Sequence, residues 1–385
     1  MSFPSPFAQP PHVAPAAPPP APGPRRLPVP APSRGRFVLW PVAAMLGVAA
    51  LGLVAYLLTF LGAEAAVIAA VLALVPLAVV LFAIRVIDRW EPEPRGLVVF
   101  AIAWGAVAAV CFALLFDLVV VLTVGSLPDG LSSVVQAPIV EEIGKGAGVF
   151  LIFATARRAF DGPVDGVVYG ALVGAGFAFT ENILYFADSL LVGGAADAAT
   201  TFFLRGILSP FAHVMFTAVI GYALGLAARA GASPAAALGP WFGGLVAGIA
   251  LHALWNGSAA FADFFALYVT LQVPLFILFI VGIVLLRREE ARLTRARLGE
   301  YAAAGWFSTA EVELLATRAG RSQAIAWARG LPGDRSGVMR RFIVEATALA
   351  AARQRVVTGR DPRAAGDERV YLERATAARR ELLTA

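Results

Sequence analysis

Three charged residues stand within one apolar stretch, and their types and spacing suggest chemistry. Glu141 and Glu142 are adjacent, and Lys145 follows as the only lysine of the chain. A helix brings Glu141 and Lys145 to one face as an i,i+4 ion pair, whereas Glu142 points about 100° away from Glu141. A desolvated glutamate suits a general base that activates water. Ionisable groups at bilayer depth are costly and usually functional, so the stretch predicts a reaction inside a membrane.

The composition requires a membrane. The chain is 59% hydrophobic and 15% charged, with a mean hydropathy of +0.76, whereas soluble proteins carry about 25% charged residues. The single cysteine, Cys111, excludes an intramolecular disulfide and a cysteine-rich metal site. The net charge of +5 is concentrated in certain loops and in the C-terminal third. That distribution indicates membrane orientation, and nucleic-acid binding is not expected.

Apolar segments of roughly 20 residues are long enough to cross a bilayer as helices. The chain therefore predicts an all-α fold, a polytopic transmembrane helix bundle of about eight spans with a cytoplasmic helical C-terminal region. The predicted spans are Phe37–Leu61, Ala65–Ile84, Leu97–Val124, Ser133–Ala154, Val164–Phe186, Phe202–Ala228, Ala237–Ala260 and Phe264–Leu286.

The loops between these segments differ in charge. Arginines fall in the second, fourth and sixth loops and after the last span, whereas the first, third, fifth and seventh loops carry acidic residues and no Lys or Arg. Arg205, at the outer edge of the sixth span, is the one exception. By the positive-inside rule both termini are cytoplasmic, which predicts a multi-pass membrane protein.

The two ends of the chain differ from its middle. Residues 1–36 are rich in Pro and Ala and predict a disordered cytoplasmic tail, and residues 37–288 predict the transmembrane domain. Residues 289–385 interleave Arg and Glu with apolar residues at helical spacing, which predicts basic amphipathic helices at the cytoplasmic side. Within that region Ser308 and Glu311 have the spacing of a capping box.

Other rare polar residues lie inside the predicted spans. They are Glu181 in the fifth, His213 in the sixth, and His252 and Asn256 in the seventh. Given the span directions and a rise of 1.5 Å per residue, the two histidines and the glutamates fall between the midplane and the outer surface. Each shares a helix face with small residues, which allow helices to approach closely in lipid. Side chains from four helices at one depth predict one shared site.

Two kinds of chemistry fit such a site. Zinc accepts the nitrogen and oxygen ligands of a set that comprises Glu142, Glu181, His213 and His252, although the chain has no HExxH motif and does not require a metal. Alternatively, a glutamate activates water without metal. A different class of function, a proton-coupled transporter or channel, would also use buried Glu and His.

Four elements resemble the PrsW family of intramembrane proteases, within the broader group that includes CAAX-prenyl endopeptidases. They are the EExxK of Glu141–Lys145, the FxxxE of Phe177–Glu181, the isolated His213 and the HxxxN of His252–Asn256. The resemblance extends from about Ile84 to Leu286. Glu181 stands where a CAAX-prenyl enzyme would have histidine, which favours the PrsW type.

The resemblance implies hydrolysis of a peptide bond in a membrane-anchored protein such as an anti-sigma factor. Glu141 or Glu142 would activate water, while His213 and His252 would stabilise the oxyanion or bind metal. Glu181 would be a second carboxylate of the site. Lys145 and Asn256 complete the predicted catalytic set.

Overall fold

The computed structural model describes residues 36–261, 263–359 and 361–384. Every regular element within them is helical, so the predicted all-α fold is confirmed. The α-helices are α1 (Arg36–Leu61), α2 (Ala63–Ile87), α3 (Arg95–Ala103), α4 (Val110–Thr123), α5 (Asp129–Leu131), α6 (Ala137–Thr155), α7 (Pro163–Phe202), α8 (Ala212–Arg229), α9 (Leu238–Phe261), α10 (Phe264–Leu267), α11 (Val273–Ala303), α12 (Thr309–Leu315), α13 (Arg318–Arg329), α14 (Ser336–Thr358) and α15 (Ala364–Leu383). Short π-helical segments occupy Trp104–Ala109, Ser132–Gln136, Phe203–Leu208 and Tyr268–Gln272.

Within the described residues, 6 helical stretches are long and apolar enough to cross a membrane by length and composition. One of them, Pro163–Arg229, contains both α7 and α8, which the sequence predicts as separate spans. Helix α6, the predicted fourth span, lies outside these stretches and carries three charged residues in its 19. The figure of eight spans stays a prediction. The predicted disordered tail lies outside the described residues, except for Arg36, which begins α1.

Helix α7 is longer than the predicted fifth span. It continues past Phe186 to Phe202, so the predicted outer loop with Asp188 and Asp197 is helical. Residues 187–201 are rich in Ala and Leu, which favour a helix. The direction changes at Gly194, whose φ of 72° lies in the left-handed region that glycine tolerates best.

Helices α7 and α8 pack at backbone distance. A Cβ atom added at Gly170 would lie 2.5 Å from the Thr217 carbonyl oxygen, and one at Gly174 would lie 2.5 Å from that of His213. Only glycine fits these two positions without a shift of the backbone. The small-residue stripe predicted from sequence therefore sets how closely His213 and Thr217 approach α7.

The loop between α2 and α3 is fastened to α7. The Glu93 amide donates to Asp88 Oδ2 at 3.1 Å, and the buried Tyr169 hydroxyl donates to Glu93 Oε2 at 2.5 Å. The Tyr169 ring in turn stacks on Phe160, with the ring centroids 5.5 Å apart. The Glu93 carboxyl group thus connects the loop between α2 and α3 to α7, the helix that carries Glu181.

The described residues divide into two compact units near residue 284. The second unit, residues 285–384, has its own apolar core with Phe307, Met339, Phe342 and Leu349 near its centre. The predicted capping box is confirmed, since Glu311 N donates to Ser308 Oγ at 3.2 Å and Ser308 N to Glu311 Oε2 at 2.6 Å. The predicted domain boundary at residue 288 stays a prediction.

Ionisation of Glu93 should make stability depend on pH. Burial, and next the charge of Asp165, raise the pKa of Glu93 well above its ordinary value. The folded state therefore keeps this proton at a pH where the unfolded chain, with a glutamate pKa of about 4.3, has lost it. The associated stability is present below about pH 4.3 and is lost as the pH rises through the folded pKa. Glu93→Gln cannot ionise, so its unfolding free energy in detergent should fall less with rising pH than that of the wild type. Parallel curves would contradict this.

Candidate active site

Lys145 is the centre of the buried charges on α6. Its side chain is 0% exposed, and its ammonium Nζ lies 2.6 Å from Glu142 Oε1 and 3.3 Å from Glu141 Oε2. A third contact joins Nζ to His213 Nδ1 at 3.2 Å. The ammonium also lies 4.0 Å from the centroid of the Phe177 ring. The predicted i,i+4 pair with Glu141 is therefore present, but Lys145 also binds Glu142 and so bridges both carboxylates.

Glu142 is enclosed by hydrogen bonds. Its Oε1 contacts His252 Nδ1 at 3.0 Å as well as Lys145, and its Oε2 accepts from Thr217 Oγ1 at 3.0 Å. The side chain is 0% exposed. Glu142 thus joins α6, α8 and α9 through both oxygens.

Glu181 on α7 holds the second histidine. Its Oε2 lies 2.8 Å from His213 Nε2, and the same oxygen forms an ion pair with Arg205 Nη2. Arg205 Nε also donates to Asn182 Oδ1 at 3.0 Å. Arg205 belongs to the π-helical segment before α8, so its contacts connect that segment to α7.

Aromatic residues fix the helices that carry these groups. Trp104 Nε1 donates to the Gly144 carbonyl at 2.9 Å, and Trp241 Nε1 donates to the Gly146 carbonyl at 3.0 Å. Both indoles therefore hold α6 on either side of Lys145. The Phe216 ring stacks on the His252 imidazole, with centroids 4.7 Å apart.

The hydrogen-bond partners determine which nitrogen of each imidazole carries the proton. An ammonium can only donate, so His213 Nδ1 accepts from Lys145 and its Nε2–H donates to Glu181. A carboxylate can only accept, so His252 Nδ1–H donates to Glu142 and its Nε2 keeps a lone pair. Each neutral imidazole thus has one nitrogen fixed by a carboxylate and the other turned toward Glu141.

Three electron-pair donors consequently face one point. Glu141 Oε2 lies 3.9 Å from both His213 Nδ1 and His252 Nε2. Among the described residues these side chains could hold a metal ion, with ligand atoms within 4.8 Å of one another. Carboxylate partners on the outer nitrogens are typical of metal-binding histidines, and two His and one Glu are a known catalytic zinc set. The residues therefore fit zinc, with Glu141 in place of the predicted Glu142 and Glu181.

The charges of the cluster do not balance. Glu141, Glu142 and Glu181 are three carboxylates, whereas Lys145 and Arg205 supply two permanent positive charges. With neutral imidazoles, one negative charge is left for a proton or a bound cation to balance. An unbalanced charge in a buried site is costly, so the cluster favours uptake of one or the other.

Two clefts reach the cluster. One, of about 360 Å³, is lined by Glu141, Glu181, Phe177 and other residues of α4, α6 and α7, and we call it the Glu141 cleft. The other, of about 380 Å³, is lined by His213, Arg205 and other residues, and we call it the His213 cleft. The pair Glu181–His213 links them, since Glu181 lines the first and His213 the second. The carboxylate of Glu141 thus borders a cleft although the cluster is largely buried.

The structure brings together six of the seven residues predicted for the site. They are Glu141, Glu142, Lys145, Glu181, His213 and His252. The seventh, Asn256, donates from its Nδ2 to the Ser133 carbonyl at 2.9 Å, and it lines the His213 cleft.

Sequence analysis missed two members of the cluster. Thr217 follows His213 by one helical turn on the same face, a spacing that could have identified it. Arg205 was visible as the one exception to the charge pattern of the loops. The structure pairs this arginine with the carboxylate of Glu181.

Comparison with known proteins identifies relatives of this segment. A family model described as "PrsW family intramembrane metalloprotease" matches residues 93–283, which include all seven predicted site residues. "Protease PrsW" of Geobacillus kaustophilus is 31% identical over 141 residues, covering 36% of this chain and 58% of that protein. "Protease PrsW" of Clostridioides difficile is 31% identical over 157 residues, covering 39% and 62%. That of Bacillus subtilis is 37% identical over 79 residues, covering 20% and 33%.

These matches confirm the predicted resemblance to the PrsW family. The chain spans less than two thirds of the length of each of these relatives. No solved structure matches the chain.

Removal of the central cation should destabilise the protein. Lys145→Met leaves Glu141 and Glu142 buried without their ammonium partner, and breaking a buried pair costs about 3–5 kcal/mol. We expect a lower thermal unfolding midpoint in detergent. Adding Glu142→Gln to Lys145→Met should recover part of the loss, because one unpaired charge is then removed. Arg292→Ala, which removes an exposed pair with Glu289, serves as the control and should change little. An unchanged midpoint in Lys145→Met would contradict the bridging role.

Proposed function

We propose that this chain, whose residues 93–283 match the model of the PrsW family, is an intramembrane endopeptidase that hydrolyses a peptide bond of a membrane-anchored protein. The observation that carries the proposal is the convergence of Glu141, His213 and His252 between apolar helices, with Glu141 at the wall of the Glu141 cleft and His213 at the wall of the His213 cleft. Hydrolysis consumes one water, whose oxygen joins the acyl carbon while its protons go to the leaving amine and carboxyl products. The site therefore needs a group that binds water and a group that polarises the carbonyl.

Glu141, rather than Glu142, is the carboxylate that meets the attacking water. Its side chain is 11% exposed and lines the Glu141 cleft, whereas that of Glu142 is 0% exposed. Both oxygens of Glu142 are already engaged by Lys145, His252 and Thr217. Glu142 therefore orients the site, and Glu141 contacts the reacting atoms.

The converging face of Glu141, His213 and His252 is proposed to hold zinc. When bound, zinc supplies a Lewis acid that makes a water more acidic and polarises a carbonyl oxygen. Lys145 contacts two of the three ligand atoms, Glu141 Oε2 and His213 Nδ1, so a zinc ion on this face would replace the ammonium at both. Glu142 and Glu181 would keep the imidazoles in the tautomers that binding requires. The alternative within the same reaction is a metal-free site in which Glu141 alone activates water.

The substrate is proposed to be a single-pass or lipid-anchored protein, such as an anti-sigma factor, cleaved near the outer face. The predicted depth of the cluster and the family resemblance support this proposal. We place the protein in the bacterial inner membrane on the family resemblance, with both termini cytoplasmic on the charge pattern of the loops. A proton-coupled transporter is less favoured, since the relatives that match the helical segment are named as proteases.

The two adjacent glutamates should respond differently to substitution. Glu141→Gln removes the carboxylate that contacts water, so cleavage of a membrane-anchored test substrate should fall by about 10²-fold or more while the protein stays folded. Glu142→Gln removes a buried partner of Lys145 and His252, so it should lower the thermal unfolding midpoint together with activity. The assay is cleavage in detergent or liposomes beside thermal unfolding of the same samples. Full activity of Glu141→Gln would overturn the assignment.

A further inference from the structure

We propose that Arg205 is a positioning residue that fixes the imidazole of His213 through Glu181. This inference rests on the proposed function for its effect on cleavage. It concerns a residue outside the four motifs of the family resemblance, located in the π-helical segment Phe203–Leu208 between α7 and α8.

The same oxygen atom of Glu181 receives both groups. Oε2 pairs with Arg205 Nη2 and lies 2.8 Å from His213 Nε2. The guanidinium therefore holds this oxygen at the place where the imidazole N–H needs an acceptor. Without the guanidinium, Glu181 would lose its cationic partner and would be free to turn from His213 toward the Glu141 cleft, which it also lines.

Arg205 is itself held at three points on α7. Besides the ion pair with Glu181, its Nε donates to Asn182 Oδ1 at 3.0 Å, and its guanidinium carbon lies 3.9 Å from the centroid of the Tyr185 ring. The planar guanidinium can serve a carboxylate, an amide and an aromatic face at once, which an ammonium cannot. A surface ion pair has only one such contact, whereas these three together fix the position of the Arg205 guanidinium.

The consequence for the reaction lies on the other side of the His213 ring. With Nε2–H held by Glu181, Nδ1 faces Lys145 at 3.2 Å and Glu141 Oε2 at 3.9 Å. Release of the ring would turn the Nδ1 lone pair away from the point that Glu141 and His252 share. A misplacement of about 1 Å in a catalytic group can cost about 10²-fold in rate. Arg205 therefore acts on the reaction through Glu181 and His213.

The test uses the fact that the chain has three histidines, His12, His213 and His252. Purified full-length protein in detergent is treated at fixed pH with diethyl pyrocarbonate, which acylates an accessible imidazole nitrogen, and each histidine is followed by mass spectrometry. We expect His213 to react several-fold faster in Arg205→Gln than in the wild type, while His252 in the same molecules is unchanged. Arg205→Lys, which keeps the charge but not the planar fork, should lie between. Arg229→Gln, at the other end of α8, is the matched control and should leave His213 as in the wild type.

Cleavage of a test substrate by the same samples gives the second readout. Arg205→Gln should lower kcat by about 10²-fold with little change in KM, and Arg205→Lys should recover part of kcat. An unchanged His213 labelling rate in Arg205→Gln, or an equal rise at His252, would overturn the proposal, the latter because it reports general loosening. Labelling needs no substrate, so absence of cleavage by the wild type would contradict the proposed function while the role of Arg205 is still decided.

Discussion

The site depends on one constraint, the burial of a lysine ammonium among carboxylates in a helix bundle. A charge taken out of water is costly unless it is paired and hydrogen-bonded. The Lys145 ammonium satisfies this condition because it is hydrogen-bonded to Glu141, Glu142 and His213. Since these partners come from α6 and α8, their pairing fixes how the two helices approach each other.

The same constraint separates the roles of the two adjacent glutamates. The Glu142 carboxylate accepts hydrogen bonds from Lys145 on α6, Thr217 on α8 and His252 on α9, so it connects the three helices of the site. Glu141 contacts Lys145 at a longer distance and reaches a cleft. Because the outer carboxylates also fix the imidazole tautomers, the nitrogens turned toward Glu141 carry lone pairs, and the ammonium of Lys145 donates to the one on His213. The proposed zinc ion would use the same lone pairs.

Part of this arrangement could be predicted from the sequence. Polar residues are rare in the apolar segments, so their similar predicted depth was enough to place Glu181, His213 and His252 in one site with the two glutamates of α6. The all-α class followed from segment length, and the capping box at Ser308 from local spacing. Which glutamate faces the cleft could not be predicted, because it depends on the rotation of α6 against α8 and α9.

Other features depend on contacts between distant residues. The role of Arg205 follows from its contact with Glu181 on α7. The charge pattern along the chain shows that Arg205 is unusual, but it does not show which residue the arginine contacts. The extension of α7 past Phe186 depends on a turn at Gly194, and glycine in a sequence suggests a helix end as readily as a bend. Asn256 matched a motif, yet its amide binds the Ser133 carbonyl rather than the cluster.

The most direct test is the metal content of the purified protein beside that of His213→Ala and His252→Ala, with cleavage of a membrane-anchored substrate measured on the same samples. The account predicts about one zinc per chain in the wild type, since Glu141, His213 and His252 face a single point, and loss of zinc together with cleavage in both variants. Chelator-resistant cleavage by metal-free protein would contradict the zinc site. Cleavage that survives in both histidine variants would contradict the central claim, that these three side chains form one hydrolytic centre.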